Sequence, residues 1–527
     1  MTSSRLLALP AELVALVVEF VPVEDLPSLA ISCKALHGHL TDDLKLHAHY
    51  HDLYSIQHDR MPSTIPSLLR LATTDSKAAW HVRTLDFWGE RADASEWVSW
   101  SPKHVPYEEP PRSELLEDFT QQIGSFFAAG ELEEFECSMR DHLHLPPDII
   151  TTWNTDLLLS FDKPMKLLLL AMLPQIKWVN FIANWLPNGY NIDHITYMCD
   201  AICRIHERPG AKWPPGFASL QRIDVGTSSI LRESGYEYYC AQEHVAPLFL
   251  LPNLQVLNIA AKLFGIPGVS HQLDIPEGSS SIEELGIVKP GIRAYNVEKF
   301  LRAPARLKKK VLGVGVEGMQ PSLGQILVER YTDTLVEIKA EHVGLQYLAQ
   351  FKNLRICESV AVDELVIKKP RDSQHEDDPA QLDEGDHFQV VDLPDFLPTT
   401  MKKIRLHIWH DWQYGPKALE EFITMLADLV ENTRFFELQE VCIWELLQNI
   451  KKVDIDVVSS SSPWNQAMCQ FQRCVELHDH VQDSWDEELD SDEEVWSAEE
   501  TYARQHENLH PALTGLGEIE TDCLGEG

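Results

Sequence analysis

The chain has 527 residues, 44% of them apolar, and carries 82 acidic against 44 basic side chains for a net charge of −38. That apolar share excludes a wholly disordered polypeptide, and the length allows several cores or one extended repeat array. The charge repels phosphate backbones, so nucleic acid is not an expected partner. Ten cysteines without a secreted-domain framework suit reduced thiols. No basic n-region opens the chain, and no uncharged apolar run of about 18 residues occurs. Neither a secretory signal nor a membrane span is expected, and the expected location is cytoplasmic, nuclear or both.

Residues 1–50 are expected to form a small helical unit. Pro10 suits a first helical position, where a missing N–H costs nothing, and Glu12 lies in the first turn near the positive helix end. Leu9, Leu13, Leu16, Val17 and Phe20 recur at helical spacing as one apolar face, and Pro22 stops the helix. A second helix is expected from Glu24 and Asp25, with Pro27 in its first turn. Leu26, Leu29, Ala30, Cys33, Leu36 and Leu40 line its face. A third is expected from Thr41, a suitable N-cap, to Tyr50. Periodicity alone leaves two roles open, a cap on a larger domain or a module that needs a partner, because so small a core is marginal by itself.

Residues 51–79 read as a helical linker, clearest at Ser67–Ala72. A spacing of apolar, two residues, apolar, one residue, apolar then recurs. It appears at Val82/Leu85/Phe87, Leu132/Phe135/Cys137, Ile176/Val179/Phe181, Leu220/Ile223/Val225, Leu254/Leu257/Ile259 and Ile282/Leu285/Ile287. It continues at Leu335/Ile338/Ala340, Val362/Leu365/Ile367, Met401/Ile404/Leu406 and Ile450/Val453/Ile455, with a weaker copy at Leu312 and Val314. Each copy ends in alternation, which predicts a short strand with one buried face. Helical patterns lie between them, at Glu114–Ala128, Thr196–Ile205 and Lys417–Val430. A strand–helix unit cannot bury its own face, so neighbours must stack. A non-repetitive α/β domain carrying the same triplets is the other reading. The charged segment Lys369–Asp392 reads as a mobile insertion. Asp483–Glu500, with ten acids and no Lys or Arg, reads as part of a disordered acidic tail over 459–527.

Leu9-Pro10, Glu12-Leu13, Leu16-Val17, Asp25-Leu26, Leu29 and Ser32-Cys33-Lys34 resemble an F-box over roughly residues 6–45, although Ala35-Leu36 stand where many members have tryptophan. Residues 80–458 resemble divergent leucine-rich repeats, without the usual asparagine after most strands. The resemblance implies an α/β chain: an F-box (1–50), an irregular leucine-rich-repeat-like solenoid (80–458) and an acidic tail. It implies binding of the Skp adaptor, and cullin through it, with Leu9, Pro10, Glu12, Leu13, Leu16, Leu26 and Leu29 as adaptor-facing or motif-core residues. In such a solenoid the residue between the last two apolar positions faces the concave side: Asp86, Glu136, Asn180, Asp224, Asn258, Gly286, Gly313, Lys339, Val366, Arg405 and Asp454. Asp86, Asp224, Asn258, Lys339 and Arg405 are the expected contacts to a protein substrate.

No catalytic constellation competes with this. Gly313–Gly318 lacks the GK[ST] of a phosphate loop, no nucleophile elbow occurs, and Cys199 and Cys203 lack a second ligand pair. His407, His410 and Asp411 sit on an expected strand end, where HxxH does not bring imidazoles together. The expected role is therefore non-catalytic, with no cofactor and no metal: substrate receptor of an SCF-type ubiquitin ligase. The alternative is an interaction protein using the same helices only to dock or to cap.

Overall fold

The fold is described from a computed structural model, for residues 9–23, 25–59, 64–87, 127, 129–158, 161–181, 194–226, 239–260, 262–264, 275–287, 294–312, 323–340, 343–361, 365–368, 388–407 and parts of 421–444. The chain is mixed α/β and divides into two compact units, residues 1–360 and 361–527.

Four helices open the first unit: α1 (Ala11–Glu19), α2 (Leu26–Ser32), α3 (Lys34–His39) and α4 (Thr41–Tyr54). Pro10 is the N-cap of α1 rather than its first residue, and Phe20 is the C-cap, ahead of Pro22. The expected second helix is two. Cys33 adopts extended angles (φ −162°, ψ 157°), and its Sγ accepts the Leu36 N–H at 3.5 Å, capping α3. Thr41 is not an N-cap: it begins α4, and its hydroxyl donates to the His37 carbonyl at 3.0 Å. A small core of Val14, Val18, Leu26, Ala30, Leu36 and Leu40 holds α1–α3 together.

Strand β1 (Ile56–His58) follows, then α5 (Thr64–Thr74), α6 (Ser76–His81) and β2 (Thr84–Phe87). The sheet continues through β3 (Trp178–Phe181), β4 (Arg222–Val225), β6 (Val256–Ile259), β8 (Glu284–Ile287), β9 (Lys309–Leu312), β10 (Glu337–Ala340) and β11 (Ile356–Ala361). Their spatial order follows the sequence, and every pairing whose register is given is parallel. Strands β5 (Tyr239–Ala241) and β7 (Lys262–Phe264) form a separate parallel pair. Parallel neighbours require a crossover, and helices such as 162–172, 194–207, 294–302 and 323–331 lie in these connections.

One backbone ladder runs along the N-terminal ends of the strands. The paired N–H groups of Arg83/Thr84 donate to the Ser55 carbonyl, those of Lys177/Trp178 to Arg83, and those of Gln221/Arg222 to Lys177. The same step repeats through Gln255, Glu283, Lys308 and Val336 to Arg355, with every N···O distance between 2.7 and 3.1 Å. Just before each strand stands an apolar residue: Val82, Ile176, Leu220, Leu254, Ile282, Leu307, Leu335 and Leu354, all fully buried. A second row, Leu85, Val179, Ile223, Leu257, Leu285, Lys310, Ile338 and Cys357, is paired in register and buried as well. Burial of a Leu, Ile or Val side chain contributes roughly 1.5–3 kcal/mol, so these rows supply much of what holds the sheet to its helices.

Three of the expected triplets are corrected. Leu132/Phe135/Cys137 lies in the helix Ala129–Asp141, where Phe135 and Met139 face the core and Cys137 is exposed. Its Glu136 pairs with Arg140 at 2.5 Å on that helix and is no strand residue. The copy near residue 312 is Leu307/Lys310/Leu312, shifted by two. Val311, not Gly313, takes the register position beside Gly286, and Gly313 lies outside the described residues. The copy after Ile338 is Leu354/Cys357/Val359 with Glu358 between, since Lys339 pairs in register with Glu358. Val366 belongs instead to an antiparallel pair, β12 (Val366–Lys368) with β13 (Phe388–Val390).

In the second unit, β14 (Lys403–His407) pairs in parallel with β15 (Glu440–Trp444). Met401, Ile404 and Leu406 are fully buried, as expected of their triplet. The expected helix Thr196–Ile205 is present as His194–Glu207. Ile450/Val453/Ile455, Asp454, the acidic tail and most of Glu114–Ala128 lie outside the described residues. The apolar stretch Met165–Leu173 is a buried core helix and its end, and among the described residues no helix is long and apolar enough to cross a membrane.

Candidate functional site

Two surfaces carry the residues singled out from the sequence. The first is helix α1, which is apolar on both sides. Val14 and Val18 turn inward to the small core, 2% and 9% exposed. The face read from the sequence turns outward: Leu9, Leu13, Leu16, Val17 and Phe20 are exposed, Leu13 and Leu16 by nearly half and Phe20 by 81%. Pro10 and Glu12 are exposed beside them. Leu26 is closed into the core at 2%, and Leu29 is half-buried against it, so these two shape the unit from within. Ile31 on α2 is 83% exposed. Sequence reading placed it in no face, although it sits one residue beyond Ala30 and a helix turns about 100° per residue.

The second surface is the outer side of the sheet in the first unit. Asp86, Asn180, Asp224, Asn258, Gly286, Val311, Lys339 and Glu358 occupy one register row. The row contains Asp86, Asp224, Asn258 and Lys339, four of the five expected substrate contacts. The fifth, Arg405, lies on β14 opposite Cys442 in the second unit.

Hydrogen bonds pair the row from strand to strand. Asn180 Nδ2 donates to Asp86 Oδ1 at 2.5 Å, and Asn258 Nδ2 to Asp224 Oδ1 at 2.6 Å. Asp224 is 2% exposed; its other oxygen accepts from Trp178 Nε1 at 2.5 Å and from Arg222 Nε at 2.7 Å. The Arg222 guanidinium also stacks over the Trp178 ring at 4.3 Å, a cation–π contact. Gly286 leaves room for this: a Cβ there would stand 2.5 Å from Asn258 Oδ1. At the far end Lys339 bridges Glu337 (3.4 Å) and Glu358 (3.1 Å), and Lys309 reaches Glu337 at 3.3 Å. The face is thus acid and amide at its early strands and mixed in sign at its late ones.

Other polar clusters are internal. Lys166 sits between Asp59 and Asp162, 2.7 Å from each, with all three side chains buried. Cys199 donates its thiol hydrogen to the His244 carbonyl, and burial raises the pKa of Cys203. A cleft of about 560 Å³ brings Arg208, Lys212 and Trp213 near Asp141, His142 and His144. Two helices, 129–141 and 194–207, end beside it. Their partial negative charge and Asp141 stand beside the two cations, so the lining carries both signs. Among the described residues no group of three or more His, Cys, Asp or Glu side chains is placed to hold a metal ion. His410 and Asp411 lie outside them.

Compared with known proteins, the chain matches no family model, and no curated protein is similar enough to register as a relative.

Proposed function

We propose that this chain is the substrate-recognition subunit of an SCF-type ubiquitin ligase. Helices α1–α3 act as the F-box, and the sheet and its helices act as a leucine-rich-repeat-like solenoid that holds a protein substrate. The carrying observation is the double-sided helix α1. Its inner side closes a core, and its outer side leaves Leu9, Leu13, Leu16, Val17 and Phe20 open to a partner. A covered Leu or Phe contributes roughly 1.5–3 kcal/mol, so an adaptor seated on this face gains a stable interface from few residues. The sequence-ordered parallel strands and their backbone ladder support the solenoid half.

In this reading the protein performs no bond chemistry. It binds the Skp adaptor and, through it, cullin, and it raises the effective concentration of a substrate beside the ligase. A cytoplasmic or nuclear location follows from those partners. The substrate surface is offered by the half-buried members of the row, Asp86, Asn180, Asn258 and Lys339, with Trp178 and Arg222 beside them. Asp224, 2% exposed, is not the substrate contact expected of it but orders Asn258, Trp178 and Arg222 from within.

The test is co-purification of the full chain with the Skp adaptor and cullin, comparing wild type with Leu13→Ser/Leu16→Ser. Capture of both partners, lost in the variant, is expected. No adaptor capture, or capture unchanged in the variant, overturns the reading. Adaptor without cullin assigns the helices to docking outside a ligase.

A further inference from the structure

The contact between α4 and α6 contains a pair of buried histidines that the proposed docking and substrate surfaces do not use. His47 on α4 is 8% exposed and His81 at the end of α6 is 3% exposed. His81 Nε2 and His47 Nδ1 face one another at 3.0 Å. One hydrogen fits between them, because two ring N–H groups cannot point at each other. The outer nitrogens, His47 Nε2 and His81 Nδ1, are buried and have no hydrogen-bond partner among the described residues, as is true of Trp80 Nε1. Whichever tautomers hold, the neutral pair has one shared N–H, one unsatisfied N–H and one unsatisfied lone pair.

Position makes this pair consequential. Helix α4 touches α3 on one side and α6 on the other, so it ties the helices of the exposed apolar face to the rest of the unit. His81 is three residues before β2, whose preceding residue Arg83 carries the backbone ladder. We propose that the His47–His81 pair is a proton-operated latch: neutral, it holds α4 on α6, and protonated, it releases the N-terminal helices from the sheet while the sheet stays folded.

The surroundings disfavour a charged imidazole. From α4, His51 lies 6.2 Å from the His81 ring, and Tyr50 and Tyr54 are close by. From α6, the Trp80 ring meets both imidazoles edge-on at 4.9 and 5.9 Å. Lys77 on α6 and Arg83 beyond it add like charge; Arg83 stacks on Trp80 at 4.3 Å. Two carboxylates oppose them. Asp43 faces His47, and Asp75 is held by the Tyr50 hydroxyl at 3.1 Å and by the N–H groups of Lys77 and Ala78 at the start of α6. Arg70 on α5 pairs with Glu131. Burial is the largest influence on both histidines. It lowers His47, and with His47, Arg83 and His51 it lowers His81 to about 4.

The latched state therefore binds fewer protons than the released one between the ordinary value of 6.5 and about 4. Its advantage is complete above that window and declines as pH falls through it. A first added proton puts an unpaired charge in the contact. A second sets N–H against N–H and removes the bond.

The test is hydrogen–deuterium exchange of the full chain at about pH 7.5 and pH 4.5, corrected for intrinsic rates. Segments 41–54 and 76–81 are expected to lose protection at least tenfold in acid, while strands 222–225 and 256–259 keep theirs. In His47→Gln/His81→Gln, whose amides bond but do not take a proton in this range, that loss is expected to vanish. Protection retained by wild type at pH 4.5, or an equal acid loss in the variant, overturns the latch. Should the variant lack protection already at pH 7.5, NMR titration of the wild-type imidazoles decides. Depressed titration coincident with the loss supports the latch, and titration near 6.5 with no change in exchange overturns it.

Discussion

Helices α1–α3 and the sheet of the first unit spend their apolar residues in opposite ways. In the sheet, the apolar positions before and within each strand turn to one side and are covered there by neighbouring strands and helices. On α1 and the flanking Leu9 and Phe20, most of the large apolar side chains face out. A stacked array completes its own core because each element has a neighbour. Three short helices have too little interior to close over all their apolar surface. The open surface on α1 is thus a property of the unit's size as much as of its residue types.

Four substitutions probe that contrast. The largest effect is expected where the sheet breaks its own rule. Lys310 is fully buried with no partner for Nζ among the described residues, and burial lowers its pKa to about 7. The unfolded chain binds the extra proton up to its ordinary value of 10.5, so wild-type stability rises from pH 7 to pH 10.5 and carries the full penalty below 7. Lys310→Met should stabilise the first unit by an amount on the order of 5 kcal/mol below pH 7 and flatten that slope, as read by urea unfolding across the window. Leu40→Ala comes next. It opens a cavity in the six-residue core and should cost roughly 2–5 kcal/mol, seen as lost helical circular dichroism or increased exchange over residues 9–54. Gly286→Ala should cost about 1 kcal/mol, since its methyl displaces Asn258 from Asp224; thermal unfolding measures it. Phe20→Ser is the smallest, within about 0.5 kcal/mol. A large loss of stability from Phe20→Ser would mean that its face is already covered within the chain.

The legible part of the fold was the part governed by strict alternation. Val82/Leu85/Phe87, Ile176/Val179/Phe181 and the copies up to Ile287 are strands with the expected inward residues. The register row from Asp86 to Asn258 follows from the same alternation. Leu132/Phe135/Cys137 misled because an apolar pair three residues apart also fits a helix, and Met139 completes the helical face. Lys310 hid its own copy: a lysine on the buried side breaks any apolar pattern, and the register slid by two. Leu354/Cys357/Val359 has the same spacing as Val362/Leu365/Ile367 eight residues later, and spacing alone does not tell which of the two joins the sheet. On α1 the exposed face was legible as apolar, but periodicity does not tell inside from outside when a helix is apolar on both. Nor did it reveal the His47–His81 contact, which joins helices far apart in the chain.

Lys310 has one more consequence. An amine sealed under β9 is closed to every reagent in solution for as long as the strand is in place, whereas the exposed lysines, such as Lys34, Lys77 and Lys352, react at once. Its rate of labelling by an amine-reactive probe is therefore a native clock for opening of the sheet. It reads how often the array comes apart, at a site no dye or tag had to be engineered to reach.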